Sequence, residues 1–513
     1  MIPTAEKKAA EEIAVAKPVV WIGSLTLVLL FLATLGPSLH HDVWHQMALA
    51  RESLELGYVP PLDRFAYTPT VTPSVQHEWG AGFVALWLAR LAGAEGLGVF
   101  NLLLAGGTVL ICVLFLRRSG IGFPLSFGGA FAVVGLANYT FVTPLTAQSY
   151  SVLMTALLLY ALRQDRAGGR LWIAWWLPLF VLWANLHGGI VVGFAILLAH
   201  VVEQAWRKRP WLHIALLLPA MLLLIGLNPY GRSYYSFLLH AYGMPRPFIP
   251  EWDPFWLLPP ASPRAVLFLA AVALFGYAVR RRGVRNVIGF LMVLGLVIGA
   301  AKTMKLVPFF ALAWLFVVPG ALRETPLGGW VESLFRRRQT AVVLVCVAAI
   351  PWCLGTLWRE HPWSPVIAGE PSSSWRGRGF CYPVGPVEYL KSIGFKGNAM
   401  TFFRHGPYVS WKLHPDVKVS CDSRYEVAFP PALVDDNFRF YLHDVARVFD
   451  KVLGGYPTDI VIVDRRFPLA KKMAAQAAWK RVYSDDGFEV YARPGLPLPV
   501  VSRTGTRITG SIP

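Results

Sequence analysis

Apolar runs of about 17 to 22 residues, the length that crosses roughly 30 Å of hydrocarbon, recur through the first 360 residues of the chain. They fall near 18 to 37, 96 to 116, 122 to 138, 147 to 163, 171 to 187, 189 to 205, 211 to 227, 264 to 279, 286 to 301, 306 to 322 and 340 to 358. This pattern predicts eleven membrane-spanning helices. Arginines gather in every second connection between them: Arg117 and Arg118; Arg163, Arg166 and Arg170; Arg207 to Arg209; Arg280 to Arg285; and Arg323 with Arg336 to Arg338. Basic loops stay cytoplasmic, so the alternation puts residues 1 to 17 in the cytoplasm and the opposite connections outside. An odd number of spans leaves the tail, 359 to 513, outside as well. There the polarity is ordinary, with strand-like DIVIVD (459 to 464) and FEVYARP (488 to 494) beside helix-like LVDDNFRFYLHDVARVF (433 to 449). The organisation expected is a cytoplasmic tail 1–17, a transmembrane body 18–358 with long outer loops 38–77 and 228–263, and an extracytoplasmic α/β domain 359–513.

Composition agrees with the pattern. Over 513 residues, 55% are hydrophobic and 15% charged, and the mean hydropathy of +0.47 excludes an ordinary soluble protein. The net charge of +18 implies no nucleic-acid partner, because the arginines sit in the short clusters that membrane topology requires. The N-terminal segment lacks a signal peptide's h-region and cleavage site directly after its charges, so the first span is expected to stay as an anchor. Cys381 and Cys421 fall in the polar tail, where a disulfide between them is open. No repeat of fixed period is apparent, and no charge lies mid-span in the confident runs, which weighs against a transporter.

The candidate chemistry lies in the outer connections. The opening loop, LHHDVWHQMALARESLELGYVPPLDRFAYTPTVTPSVQHEW (39 to 79), carries His40, His41, Asp42, His45, Arg51, Glu52, Asp63, Arg64, His77 and Glu78. Asp42, just past the first span, is placed to be an accessible carboxylate of raised basicity, suited to a general base. The run Trp44 to Leu56 reads as an interfacial helix in the membrane plane. His77 and Glu78 return to the membrane surface, where with Asp42 they could hold a divalent cation, Mg²⁺ or Mn²⁺; Glu78 is equally suited to a helix N-terminus. Asn185 and His187, in the turn WANLHGG, could point into a cavity, since a lipid-facing hairpin has no partners for them; a tight capped turn is the plainer alternative. Lys302 and Lys305 lie on one helical face in an outer turn where cations are disfavoured, and could hold a lipid phosphate or merely snorkel. In the tail, Asp422 and Arg424 of KVSCDSRYE are expected to anchor the domain or its contact with the membrane half.

The ordered set HDVWH, GYVPPLDRFAYT, HEW, WANLHGG, LNPYG and EW, with a tail ending in WKRVYSDDGFEVY, resembles a family of bacterial membrane proteins in the GT-C glycosyltransferase superfamily. The opening loop is also similar in plan to the catalytic subunit of oligosaccharyltransferases and to protein mannosyltransferases. The resemblance implies a multi-pass protein of the bacterial inner membrane whose sugar donor is a polyprenyl-phosphate-linked lipid and whose acceptor is a glycan or protein outside. It implies that Asp42 is the catalytic carboxylate and makes Glu78 a candidate for the second acidic position; the metal candidates, read from the residue types, are Asp42, His77 and Glu78. His45, Arg64, His77, Asn185, His187, Lys302 and Lys305 are then the substrate-binding candidates. The chain departs from the family at His45 and Gln46, where tryptophan and histidine are common, around Thr146 to Gln148, where Arg-Pro-Gln is frequent, and at Lys305, often arginine. The alternative reading is therefore a non-catalytic GT-C-like scaffold or accessory subunit of a larger membrane complex.

Overall fold

The computed structural model describes residues 17–36, 38–142, 145–369, 381–443, 446–506 and 508–512. The expected cytoplasmic tail, apart from Lys17, lies outside them. The protein is a multi-pass membrane protein of mainly helical architecture, with a small C-terminal sheet region. Its first half is a helical bundle: α1 (Lys17–Ala33), α2 (His41–Leu56), α3 (Trp79–Arg118), α4 (Phe123–Val142), α5 (Ala147–Arg166), α6 (Trp172–Leu186), α7 (Ile190–Trp206), α8 (Leu212–Leu224), α9 (Arg232–Gly243), α10 (Pro263–Arg282), α11 (Phe290–Lys302), α12 (Val307–Arg323), α13 (Pro326–Arg337) and α14 (Gln339–Glu360). Each of the eleven predicted spans holds a helix. Four are long and apolar enough to cross a membrane by length and composition, and shorter apolar helices accompany them. α5 is more polar than the rest because it lines the interior: Ser149, Ser151 and Thr155 are fully buried. α3 starts seventeen residues before the predicted run and is two helices in one, since Ala92 and Gly93 leave helical geometry. α13, between Thr325 as N-cap and three arginines, was not foreseen.

The alternation of connections is visible in the packing. Arg163 reaches Ser119 at 3.2 Å, Arg323 donates to the carbonyl of Gly120 at 2.8 Å, Arg207 donates to that of Val287 at 2.8 Å, and Arg282 pairs with Glu324. The basic connections thus meet at one end of the bundle. Asp42, Glu78, His187, Lys302 and Lys305 lie at the other.

The C-terminal region contains β1 (Ile367–Ala368), α15 (Val384–Ser392), β2 (Gly397–Met400), α16 (Gly406–Leu413), β3 (Val417–Val419), α17 (Pro431–Leu442), α18 (Ala446–Gly455), β4 (Ile460–Asp464), α19 (Pro468–Ala474), β5 (Lys480–Ser484), β6 (Phe488–Ala492), β7 (Val501–Ser502) and β8 (Thr509–Gly510). Six strands form one mixed sheet of order β3-β2-β4-β6-β5-β7, parallel across β3-β2-β4 and antiparallel across β4-β6-β5, and β1 pairs with β8. The strand pattern read at 459 to 464 and 488 to 494 is borne out by β4 and β6, which are buried throughout. The single helical run at 433 to 449 is instead α17 and α18.

This region is bound into the opening loop. The amide of Tyr67 donates to the carbonyl of Val419 at 3.1 Å, that of Val419 to Phe65 at 2.9 Å, and Thr68 and Ser74 donate to the carbonyls of Ser420 and Val427. The loop extends the free edge of β3, and its backbone polar groups are paired there.

α2 is a correction. The sequence pattern placed Trp44 to Leu56 in the membrane plane, yet Trp44, Met47 and Ala48 are buried inside protein. The indole of Trp44 meets Tyr382 and Tyr408 edge-on at 5.4 and 5.0 Å, and on the other side a Cβ at Gly82 would stand 2.3 Å from the carbonyl of Gln46. An apolar stripe looks alike whether lipid or another helix covers it; here the covers are α3 and α16.

Candidate functional site

At the end of the bundle away from the arginine clusters, a cavity of about 600 Å³ opens between the helices and the C-terminal region. Asp42 enters it from the first turn of α2. That position suits a carboxylate by helix polarity, and His40 caps the same turn by accepting from the Asp42 amide at 3.3 Å. Around the carboxylate stand His40 Nδ1 at 3.1 Å, His41 Nε2 at 3.5 Å and His45 Nδ1 at 4.0 Å. The hydroxyl of Ser423, from the turn after β3, donates to Asp42 Oδ1 at 2.6 Å. With its O–H directed at Asp42, that oxygen accepts from His45 Nδ1 at 3.1 Å. The raised basicity expected of Asp42 is therefore corrected. Burial pushes its carboxyl up, but the imidazoles of His40, His41 and His45 outweigh burial and hold it well below the usual range. Asp42 is therefore ionised, and a weaker base than an ordinary carboxylate.

Glu78 faces the same cavity from the start of α3. Its Oε2 accepts from Gln46 Nε2 at 2.6 Å, and its Oε1 lies 3.4 Å from His77 Nε2 and 3.6 Å from His187 Nε2. Burial raises the Glu78 carboxyl, and the imidazoles of His77 and His187 bring it down to about 2. His187 has a defined tautomer. Its Nδ1 accepts from the Gly189 amide at 3.0 Å and from Ser151 Oγ at 2.6 Å, Ser151 itself accepting from Trp183 Nε1. The ring proton is thus on Nε2, aimed at Glu78. Burial lowers the His187 imidazole to about 3, so the ring is neutral. His77 stacks on Phe237 at 5.0 Å, and its buried Nδ1 has no hydrogen-bond partner.

The expected metal set, Asp42 with His77 and Glu78, is not one cluster. The carboxylates fall into two groups, His40-His41-Asp42 and His77-Glu78-His187, each with donor atoms within 4.8 Å of one another. In the second group His187 Nε2 bears a proton and both Glu78 oxygens already meet protein donors. The first group fits a cation better. Its two nitrogens and one carboxylate match Mn²⁺ before Mg²⁺, which asks for oxygen.

The two lysines line the cavity, but not on one helix face: α11 ends at Lys302, and Lys305 sits on a separate turn, 304–306. Lys302 is exposed. Lys305 donates to Glu251 Oε1 at 2.7 Å and lies 4.8 Å over the ring of Trp252, so its charge is already opposed. Two candidates leave the site. Asn185 accepts from Trp79 Nε1 and Asn228 Nδ2 and donates to the carbonyls of Val181 and Leu227, which uses its whole amide as a clamp between helix ends. Arg64, half exposed, pairs with Glu52, whose other oxygen lies 3.0 Å from His414 Nε2, outside the cavity.

Sequence reasoning missed Ser423, Gln46 and Arg246. Arg246 is buried 3.9 Å over Trp252 and donates to the carbonyl of Ala241 at 2.7 Å. Its signal was an arginine in a long loop on the side where arginines are scarce. Ser423 had none, being far along the chain from Asp42. The Asp422 and Arg424 pair lies in a turn and not on a strand: Arg424 clasps Asp422 through Nε and Nη2, makes the expected contact with the membrane half by binding Asp63 of the opening loop, and also lines the cavity. Cys381 and Cys421 are both free.

Bundle, opening-loop helix and C-terminal sheet region together make a GT-C-like fold, the class that the ordered motifs resemble. The chain is similar to the Archaeoglobus fulgidus oligosaccharyltransferase, solved with a tethered acceptor peptide containing the NVT sequon: TM-score 0.54 at 12% identity, over 94% of this chain and 74% of that one. It also aligns with ArnT from Cupriavidus metallidurans, solved with undecaprenyl phosphate, at TM-score 0.48 and 12% identity, over 91% of this chain and 96% of that one. No protein-family model and no curated protein matches the sequence.

Proposed function

We propose that the protein is a membrane glycosyltransferase that moves a sugar from a polyprenyl-phosphate-linked donor to a glycan or protein acceptor on the outer face of a bacterial inner membrane. The observation that carries this reading is the ionised Asp42 at the mouth of the cavity, held by a hydroxyl proton of Ser423. An acceptor hydroxyl that replaced Ser423 would meet a carboxylate already arranged to receive its proton. The acceptor oxygen attacks the anomeric carbon, its proton passes to Asp42, the bond from that carbon to the phosphate oxygen breaks, and the lipid phosphate leaves. Lys302, Arg246 and the partly opposed Lys305 offset the charge of the leaving phosphate. Glu78, fixed by Gln46, His77 and His187, orients the sugar. A divalent cation on His40, His41 and Asp42 would supply further positive charge to the phosphate; His77 and Glu78 stay with the sugar.

The basic end of the bundle is cytoplasmic in this reading, and the cavity and residues 359–513 face outward. Reporter fusions at the two termini check that; the same side for both would remove it.

Asp42→Asn keeps size and packing but cannot take the proton, so product in cells should fall about 10² to 10⁴-fold with the protein inserted at its normal level. Unchanged product from a normally inserted Asp42→Asn would favour the scaffold reading instead, in which deletion of the C-terminal region, and not Asp42, abolishes assembly.

A further inference from the structure

Away from the cavity, at the centre of the C-terminal region, three metal-ligating side chains from distant segments converge. Cys381 comes from the residues before α15, His405 from the turn before α16 and Asp464 from the end of β4, and all three are buried. Cys381 Sγ lies 3.7 Å from Asp464 Oδ2, His405 Nε2 lies 4.0 Å from the same oxygen, and all the donor atoms fall within 4.8 Å of one another. Donors of a tetrahedral site with metal bonds of 2.0 to 2.3 Å stand roughly 3.3 to 3.8 Å apart, so the three need to close by at most about 1 to 1.5 Å. The ring of His405 is packed among Phe402, Phe467 and Phe488, with Nε2 as the nitrogen that faces Asp464.

The place a cation would take is held by Arg466. Its Nη2 lies 2.8 Å from Cys381 Sγ and 2.5 Å from Asp464 Oδ2, and its Nε donates to Asp464 Oδ1 at 2.9 Å. Yet Arg466 is half exposed, whereas Arg424 in the parallel Asp422 turn is fully buried. A half-exposed guanidinium can leave for solvent; a buried one cannot.

We propose that Cys381, His405 and Asp464 form a transition-metal site of the zinc class, for which Arg466 is the alternative occupant in the ion-free protein. Burial raises the thiol of Cys381 to about 12, so the ion displaces its proton on binding. The site is independent of the cavity, whose groups offer only nitrogen and oxygen donors.

The difference in donors gives a direct test. Full-length protein in detergent, stripped with chelator and titrated with Co²⁺, should develop a near-ultraviolet thiolate-to-cobalt charge-transfer band that saturates at one equivalent. Cys381→Ser should lose the band, and Arg466→Gln, which removes the competing cation, should lower the apparent Kd for cobalt about tenfold. Absence of the band from the wild type, or its persistence in Cys381→Ser, overturns the proposal. Should Cys381→Ser not fold, Arg466→Gln decides, and an unchanged Kd counts against the site. None of these readings depends on sugar transfer.

Discussion

The two ends of the helical bundle hold carboxylates in opposite ways. At the basic end, Asp165 receives Arg170 at 2.8 Å, the indole of Trp172 at 3.1 Å and His213 at 2.7 Å, and Glu203 receives Arg207 at 2.9 Å and the amide of Gly289 at 2.6 Å. Their donors are guanidinium, indole and amide together with two imidazoles at Asp165, His213 and, at 3.8 Å, His200, and neither carboxylate lines the large cavity. At the other end, Asp42 and Glu78 both line that cavity, and their neighbours are mostly imidazoles, with one amide and one hydroxyl, groups that can exchange a proton or give way to a ligand. Access separates the two ends: the side chains of Asp165 and Glu203 are 2% and 3% exposed, those of Glu78 and Asp42 18% and 28%, and only the second pair meets open volume. A carboxylate closed off by protein donors ties helices together, and one that opens on a cavity can do chemistry.

The largest effect that could break this contrast is the loss of product in Asp42→Asn, of about 10² to 10⁴-fold without loss of folded protein. Asp165→Asn should do the reverse. Asparagine keeps one acceptor oxygen for Arg170, Trp172 and His213 but loses the charge they face, which costs about 1 to 2 kcal/mol, read as a lower unfolding temperature in detergent, while transfer per folded molecule stays at the wild-type rate. If Asp165→Asn abolished transfer at full stability, the division between a structural and a chemical end would be wrong.

The contrast was half legible beforehand. Positions of helices follow from hydrophobic run length, and the gathering of the basic connections at one end from arginine counts, because both are local properties of the chain; β4 and β6, whose apolar residues run without interruption, were legible in the same way. The opening loop stood out because so many ionisable groups in a connector need a reason. What could not be read was which of them converge. Arg64 and Asp42 look alike as loop charges, and only the fold sends one to Glu52 and the other to the cavity. Ser423 reaches Asp42 because residues 65–67 extend the edge of β3, a pairing between segments some 350 residues apart. Asn185 was misread for a related cause: a polar turn between apolar helices signals buried polarity, but not whether the partner is a ligand or, as here, Trp79 and Asn228.

Acid sharpens the comparison further. His187 is lowered by burial to about 3 from an ordinary 6.5, so below pH 6.5 the unfolded chain binds a proton that the folded one does not. Stability from this group is present in full above pH 6.5 and falls as pH drops toward 3. Between pH 6.5 and about 5 the loss from His187 comes to about 2 kcal/mol. Glu78, lowered to about 2 from 4.5, adds a second loss only below pH 4.5. Thermal unfolding in detergent across this range should show the first decline in the wild type and a flatter profile in His187→Gln. Equal slopes in the two proteins would mean that the ring is not held neutral.

The smallest effect separates the cavity from the rest of its own loop. Arg64 belongs to the opening loop as Asp42 does, but its guanidinium is half exposed and its partner Glu52 keeps a second contact in His414. A solvated ion pair contributes about 0 to 1 kcal/mol, and here the buried member does not lose its last partner. Arg64→Gln should therefore shift the unfolding temperature slightly and leave both product yield and its dependence on donor concentration unchanged. A raised donor requirement in Arg64→Gln would restore this arginine to the substrate-binding set and would mean that the binding surface reaches past the cavity wall to the far end of α2.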